Sequence, residues 1–364
     1  MSLSCGIVGL PNVGKSTLFN ALIGAGATVA PYPFCTVDPN VGVVVLEDPR
    51  LERLAAALNP PRVVPATVRF LDVAGLVRGA SRGEGLGNRF LAHIRQVDAL
   101  VHVVRCFEAP DVTHVPGWLD PVRDVETVEL ELMLADLETA ERARGRLARV
   151  RQPDRRAAER AQAAAELTAA LERGIPLWRA TLSPESRDLA RELSLLSIKP
   201  VLYVANVAEE EYEAAKENPL VRAVVQHGQA FGAPVVIVPA RLEVELLEMP
   251  PQERAEFRSA LGWGRGGLPQ LVREAYALLG LISFFTTQTE LKAWTIPRGT
   301  RAVEAAGKIH SDFARGFIRA EVLPWSELVR AGSLARAREL GLIRLEGRDY
   351  LVQDGDVIHF RFHV

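Results

Sequence analysis

Near the start of this 364-residue chain lies a glycine-rich run whose residue types suit phosphate chemistry. Gly9-Leu-Pro-Asn-Val-Gly14-Lys15-Ser16 fits the pattern GxxxxGK[ST], follows the apolar run 5–10 and opens a helical run at 17–22. In that strand–loop–helix context, backbone N–H groups wrap phosphates and the helix N-terminus adds its dipole. Asn12, Val13, Gly14, Lys15, Ser16 and Thr17 form the candidate cradle. Lys15 neutralises the β and γ phosphates, and Ser16 is a candidate Mg²⁺ ligand.

A second element follows one strand-pair later. Asp72-Val-Ala-Gly75 closes the β-type run 67–71. An aspartate there can hold Mg²⁺ through water, and Gly75 lets a backbone N–H reach the γ phosphate. Gly79, Gly83, Gly85 and Gly87 follow, as expected of a segment that orders around a triphosphate. Between the two elements, Thr36 is the candidate second hydroxyl ligand to Mg²⁺. Asn206-Val-Ala-Glu209 ends the apolar run 200–205, where guanine-specific switches carry Asn-Lys-x-Asp. Val207 replaces the lysine and Glu209 the aspartate that accepts from guanine. Adenine has no 2-amino group and carries an acceptor at N1, whereas Asn206 can serve its N7 and N6. Asn206, Val207, Glu209 and Ala240 are therefore assigned to a base pocket that prefers ATP over GTP.

These motifs need strands to carry them, and the pattern supplies them. Runs 5–10, 42–46, 67–71, 99–104, 200–205 and 234–238 are short and apolar, spaced by helix-length segments. Such spacing implies crossover connections and a buried, mainly parallel sheet. Between 121 and 195 the character changes. Leu130, Met133, Leu137, Ala140 and Leu147 share one helical seam, and Ala157, Ala161, Ala164, Leu171 and Ile175 share another. Gln152-Pro153-Asp154 separates them, which predicts an antiparallel helical hairpin inserted into the α/β domain. From 282 onward, short β-like runs at 293–296, 316–322, 349–352 and 357–362 predict a small α+β domain. The expected division is thus 1–120 and 196–281 for the nucleotide domain, 121–195 for the hairpin and 282–364 for the last domain.

Composition narrows the partners. A net charge of −2 excludes a generally basic nucleic-acid binder, so any such contact must come from a local patch. The hairpin tip offers one. Arg142, Arg144, Arg146, Arg149, Arg151, Arg155, Arg156 and Arg160 face only Glu141, Asp154 and Glu159 in the local sequence. No apolar run approaches the roughly 20 residues of a spanning helix, and no secretory leader is legible. Three widely spaced cysteines, Cys5, Cys35 and Cys106, fit reduced thiols in a cytoplasmic protein without membrane contact.

Together the motifs resemble the YchF-type, or Obg-like, ATPases, a branch of the translation-factor class of P-loop GTPases. The resemblance rests on residues 5–17, 32–36, 72–76, 83–88, 104–107, 206–209, 293–296 and 306–310, and so spans the chain. It implies a G domain interrupted by a helical hairpin, then a ubiquitin-like TGS domain. It also implies ATP hydrolysis at least as good as GTP hydrolysis, and association with ribosomes. Between Phe285 and Glu290 the chain is one residue short of the family pattern and lacks its usual glycine. Many GTPases place a water-orienting Gln after the DxxG glycine, but Leu76 stands there, which predicts slow intrinsic turnover. His114, in the Pro-rich loop 109–116, is a catalytic candidate. Asn12 corresponds to the residue that helps bind K⁺ in cation-dependent relatives. Two alternatives stay open: a guanine-specific Obg-like GTPase, and a nucleotide-stabilised ribosome- or RNA-binding module in which turnover is incidental.

Overall fold

In the computed structural model the chain is described over residues 3–27, 41–73, 86–108, 119–149, 154–260 and 266–363. It divides into two compact units. The first is Met1–Val43 with Arg69–Ala275, and the second is Val44–Val68 with Tyr276–Val364. This division differs from the sequence-based one at three places, one of them residues 276–281, which fall in the second unit. The hairpin segment belongs to the first unit, and the excursion Val44–Val68 belongs to the second.

The first unit is built on the strand order β2-β4-β1-β5-β6-β7. Its strands are β1 (Ser4–Val8), β2 (Val41–Val45), β4 (Thr67–Asp72), β5 (Ala99–Arg105), β6 (Val201–Asn206) and β7 (Val235–Val238). Strands β4, β1, β5, β6 and β7 pair in parallel, so their C-terminal ends share one edge. Strands β1, β5 and β6 are buried along their whole length. That burial is why they read as unbroken apolar runs rather than alternating ones. Helices α1 (Lys15–Ala27), α3 (Leu86–Gln96), α7 (Pro219–Phe231), α8 (Ala240–Glu245), α9 (Pro251–Ala260) and α10 (Leu268–Leu278) complete the wound α/β pattern. No described helix is long and apolar enough to cross a membrane.

The predicted hairpin forms from α4 (Pro121–Leu147) and α5 (Arg155–Glu172), followed by α6 (Pro184–Glu192). Asp154 caps α5 by accepting from the Ala157 amide at 2.7 Å. Met133, Ala140, Ala164 and Leu171 are buried in a shared core with Leu167, Leu177 and Leu189. Leu130 departs from its predicted seam and is 51% exposed. The first half of α4 buries Val125, Val128 and Leu132 instead, a different face from the one its second half turns toward α5. One long helix here serves two partners, and a single seam cannot describe it. Near this helix base, Glu129 accepts from Arg179 at 2.5 Å and from the Tyr203 hydroxyl of β6 at 2.7 Å.

The second unit contains a sheet of order β11-β10-β12-β8-β9-β3. Its strands are β3 (Val63–Val64), β8 (Leu281–Thr286), β9 (Leu291–Pro297), β10 (Phe317–Pro324), β11 (Arg344–Glu346) and β12 (Asp356–Phe362). A parallel β12–β8 contact joins two antiparallel pairs, β10–β12 and β8–β9, so the sheet is mixed. Helices α2 (Pro49–Leu58), α11 (Ala302–Ile309), α12 (Ser311–Arg315), α13 (Trp325–Ala331) and α14 (Leu334–Glu339) accompany it. Ala302, Ala305 and Ala306 of α11 are fully buried beside Phe284, Ile358 and Phe360, so small side chains let helix and sheet approach closely.

Two local expectations need correction or comment. The run 349–352 is not a strand; it contributes one bridge, Arg301 to Leu351, while the edge strand β11 lies earlier. The β8–β9 turn contains no positive φ, so it needs no glycine.

Asp136 on α4 carries the return of the chain into β6. Its carboxylate accepts from the Leu196 amide (2.8 Å), the Ser197 amide (2.7 Å) and the Ser197 hydroxyl (2.6 Å), all buried. Asp136→Ala would leave two buried amides without acceptors, a loss of about 3 kcal/mol. The expected result is a clearly lower urea midpoint for the first unit, and an unchanged midpoint would refute this assignment.

Candidate functional site

The C-terminal edge of the first sheet converges on the glycine-rich loop. Gly9 takes φ +149, Asn12 +61 and Gly14 +97, a succession of positive angles that turns the loop's amides inward. Gly9 must lack a Cβ, because one would lie 2.5 Å from the Val103 carbonyl oxygen. At Gly14 a Cβ would collide with the Asn206 amide nitrogen.

That amide is the joint of the site. Asn206 Nδ2 donates to the Val13 carbonyl at 2.9 Å, and its Oδ1 accepts from the Ala240 amide at 3.1 Å. Asn206 is 4% exposed, so both bonds are held away from water. The sequence places Ala240 in the base pocket; in the structure its N–H is engaged by Asn206. Val13 likewise gives its carbonyl to the same joint. One Nδ2 hydrogen and one Oδ1 lone pair remain for a base.

Lys15, Ser16 and Asp72 come together as the motifs predict. Lys15 is 7% exposed and donates to the Leu10 carbonyl at 2.6 Å. Burial lowers its pKa to about 8, against the opposing pull of Asp72. Burial raises the Asp72 pKa, opposed by the Lys15 charge and a hydrogen bond with Ser16. A hydroxyl and a carboxylate joined in this way form a hard-oxygen pair suited to a divalent cation that keeps its remaining positions for phosphate and water. Among the described residues no group of three or more His, Cys, Asp or Glu side chains is placed to hold a metal ion.

A cleft of about 830 Å³ extends from the loop toward β6 and α8. Asn12, Lys15, Thr17, Val207 and Glu209 line it, in agreement with the sequence, but so do Phe107, Ala208 and Arg241. Phe107 is held by Arg105, whose Nε donates to the Phe107 carbonyl at 3.0 Å while its guanidinium lies 4.9 Å from the ring centre. Its motif, 104–107, was visible; its position in the cleft depends on the β5–β6 pairing and was not. Val207 is buried where guanine sites carry lysine, and Glu209 is exposed.

Thr36, Gly75, Leu76 and His114 lie outside the described residues, as do Gly79, Gly83, Gly85, Cys35 and Arg151. Gly87 falls in the first turn of α3. His102 is buried in mid-strand, and burial, with Lys15 and His227 adding to it, lowers its pKa to about 3. It is therefore a neutral core residue. The arginine-rich tip has more acidic partners than its local sequence shows. Arg142 pairs with Glu138, Arg144 with Glu172, Arg155 with Glu159 and Arg160 with Glu192.

Lys15 gives the site a predictable pH response. Bound phosphate would hold its proton more tightly than the free protein does, so binding takes up a proton above the free-state pKa. Affinity for a non-hydrolysable nucleotide should fall as pH rises through 8, by about tenfold per unit. Calorimetry in buffers of differing ionisation heat should detect the proton uptake, and an affinity flat from neutral to strongly alkaline pH would exclude it.

The comparisons agree with this geometry. A family model described as a 50S ribosome-binding GTPase matches residues 4–138, and the model named YchF-GTPase_C, described as a protein of unknown function, matches residues 281–363. The chain is 49% identical over 366 residues to a Bacillus subtilis protein named "Ribosome-binding ATPase YchF", with all of both chains covered. It is 46% identical over 372 residues to the protein of that name from Escherichia coli O157:H7, again over the whole of both. The solved structure of the Schizosaccharomyces pombe YchF GTPase superposes with a TM-score of 0.89 at 32% identity, covering 99% of this chain and 98% of that one. The phosphate loop, the departure from Asn-Lys-x-Asp and these full-length likenesses agree, and the chain belongs to the YchF family.

Proposed function

We propose that this protein is a ribosome-associated ATPase, a cytoplasmic switch that binds Mg²⁺ with ATP and hydrolyses the β–γ phosphoanhydride. The observation that carries this reading is the environment of the base. Asn206 retains one donor and one acceptor toward the cleft, the pair that adenine N7 and N6 require. Phe107 and Ala208 line the same cleft. Glu209 is a solvent-exposed carboxylate, and an acidic group beside adenine N1 has no hydrogen to accept. Ribosome association is carried over from the names of the full-length relatives. The TGS assignment of the C-terminal unit rests on the sequence resemblance and its mixed sheet order.

Ser16 and Thr36 would hold the cation as hydroxyl ligands, and Asp72 would hold it through water. The ion would supply positive charge to the phosphate oxygens. Lys15 holds a proton at Nζ beside the transferred phosphate, and the Gly75 amide is assigned to its γ oxygens. Leu76 cannot orient water, so His114 is assigned to position the nucleophile, and Asn12 to ligate a K⁺ ion beside the phosphates.

Calorimetric titration with non-hydrolysable ATP and GTP analogues in Mg²⁺ is the direct test. The expected result is tighter ATP binding, with Lys15→Ala losing both nucleotides. Preference for GTP would mean that Glu209 replaces the usual aspartate, making the protein a guanine-specific GTPase. A folded Lys15→Ala variant that keeps ribosome binding in every nucleotide condition would favour the binding-module reading. For the catalytic assignments, single-turnover hydrolysis should slow in Na⁺ relative to K⁺ and in His114→Ala. Equal rates would remove Asn12 and His114, respectively, from the mechanism.

A further inference from the structure

At the opposite edge of the same sheet lies a second cleft, of about 590 Å³. It opens beside Asp98 and Pro200, the residues just before β5 and β6, whereas the nucleotide cleft lies at the far end of these strands. Six residues of β6 separate the two by about 20 Å. Arg95, Arg187, Arg191 and Lys199 line this cleft, and Asp98 is the only acidic lining residue. The carboxylate of Asp98 already accepts from the Ser4 amide at 2.8 Å. Lys199 donates to the Val97 and Arg95 carbonyls at the end of α3, and Arg191 pairs with Asp188 at 3.1 Å.

The Arg95 and Arg187 side chains have no hydrogen bond or ion pair among the described residues. At the hairpin tip Arg142, Arg144, Arg155 and Arg160 have glutamate partners, and the remaining described arginines stand on an exposed helix end and not in a cleft. Asp98 is engaged by the Ser4 amide, Asp188 takes Arg191, and the Asp136 carboxylate acts on Arg95 and Lys199, so the cleft keeps a smaller positive excess that an anion would relieve. Trp178 supplies a different chemistry. Its backbone N–H is fixed to the Ser197 carbonyl at 2.8 Å, and its half-buried ring lies 4.7 Å from the Arg179 guanidinium carbon. The indole N–H has no acceptor among the described residues.

Unpaired guanidinium groups beside an accessible indole match a phosphate attached to an unstacked base. From this geometry we infer that the cleft binds an unstacked nucleotide unit, with its phosphate on Arg95 and Arg187 and its base against Trp178. Such a unit can arrive within an RNA strand or as a free mononucleotide. The inference rests on the preceding functional reading only in making the ribosome a source of the strand.

The test uses the full chain, saturated with a non-hydrolysable ATP analogue so that the phosphate loop is occupied, and a fluorescent oligouridylate as the probe. In anisotropy titrations, Arg95→Glu with Arg187→Glu should weaken binding at least about thirtyfold and reduce the salt slope by about 1.4, the value for two lost phosphate contacts on a single strand. Trp178→Ala should weaken binding about tenfold with the salt slope retained. Arg146→Glu with Arg149→Glu at the tip should leave affinity unchanged. Thermal melting and ATP-analogue binding should match the parent in every variant. Displacement by micromolar AMP would identify a free nucleotide as the ligand; resistance to millimolar AMP would identify the strand. Wild-type affinity in the Arg95/Arg187 variant, an equal loss in the tip variant, or no binding of either probe would overturn the inference. Lys15→Ala separates the two proposals, because it should lose ATP and keep oligouridylate.

Discussion

The Asn206 carboxamide holds three chain segments in one arrangement. It ends β6, accepts from the amide that starts α8 and donates to the carbonyl of Val13 in the phosphate loop. A buried amide with both ends engaged cannot rotate without leaving polar groups unpaired, at about 1–3 kcal/mol each. The loop side of the cleft and its β6–α8 side are therefore set relative to each other by one side chain. Gly14 is part of the same constraint, since the Asn206 nitrogen occupies the space a Cβ would need. The loop glycine and the strand-end asparagine, 192 positions apart in sequence, are thus a single structural decision.

Much of this was legible before any coordinates, for specific reasons. The loop at 9–16 is identified by residue types in a fixed order, and parallel strands buried on both faces leave unbroken apolar runs such as 99–104 and 200–205. What escaped the sequence depends on distant partners. Phe107 enters the cleft beside the glycine-rich loop only because β5 pairs with β6 at Arg105 and Asn206. The engagement of the Ala240 N–H by Asn206 is likewise a contact between distant segments. The sequence-based division gives segment 44–68 to the nucleotide domain, but β3 pairs with β9 and α2 carries Arg50, which bridges Asp48 and Asp354 within the second unit. Leu130 lost its predicted burial because α4 turns different faces to the sheet and to α5.

Charge was the least legible property. The tip arginines seemed almost unopposed when counted along the chain, because Glu172 and Glu192 sit on later stretches that only the folded hairpin brings near. Exposed pairs of this kind contribute little to stability, but they reduce the positive potential that a phosphate would meet. Local counting therefore overstated the tip. It also passed over Arg95, Arg187 and Trp178, which come from separate segments and share one cleft only after folding.

The two clefts lie at opposite ends of β6, roughly 20 Å apart, which exceeds the ~10 Å screening length at 0.1 M salt. Cations at one end therefore exert little direct force on phosphates at the other. Packing offers a shorter route. Trp178 lines the basic cleft, and its neighbour Arg179 reaches the Tyr203 hydroxyl at 3.0 Å and Glu129 at 2.5 Å. Tyr203 is fully buried in β6, three residues before Asn206. A displacement of Trp178 would thus have to be absorbed by a buried hydrogen-bonded group on the strand that ends at Asn206. Close-packed interiors transmit such strain poorly by compression and readily by shifting whole elements. If the two sites influence each other, the coupling runs through the seating of α4 on β6 and not through the electrostatic field.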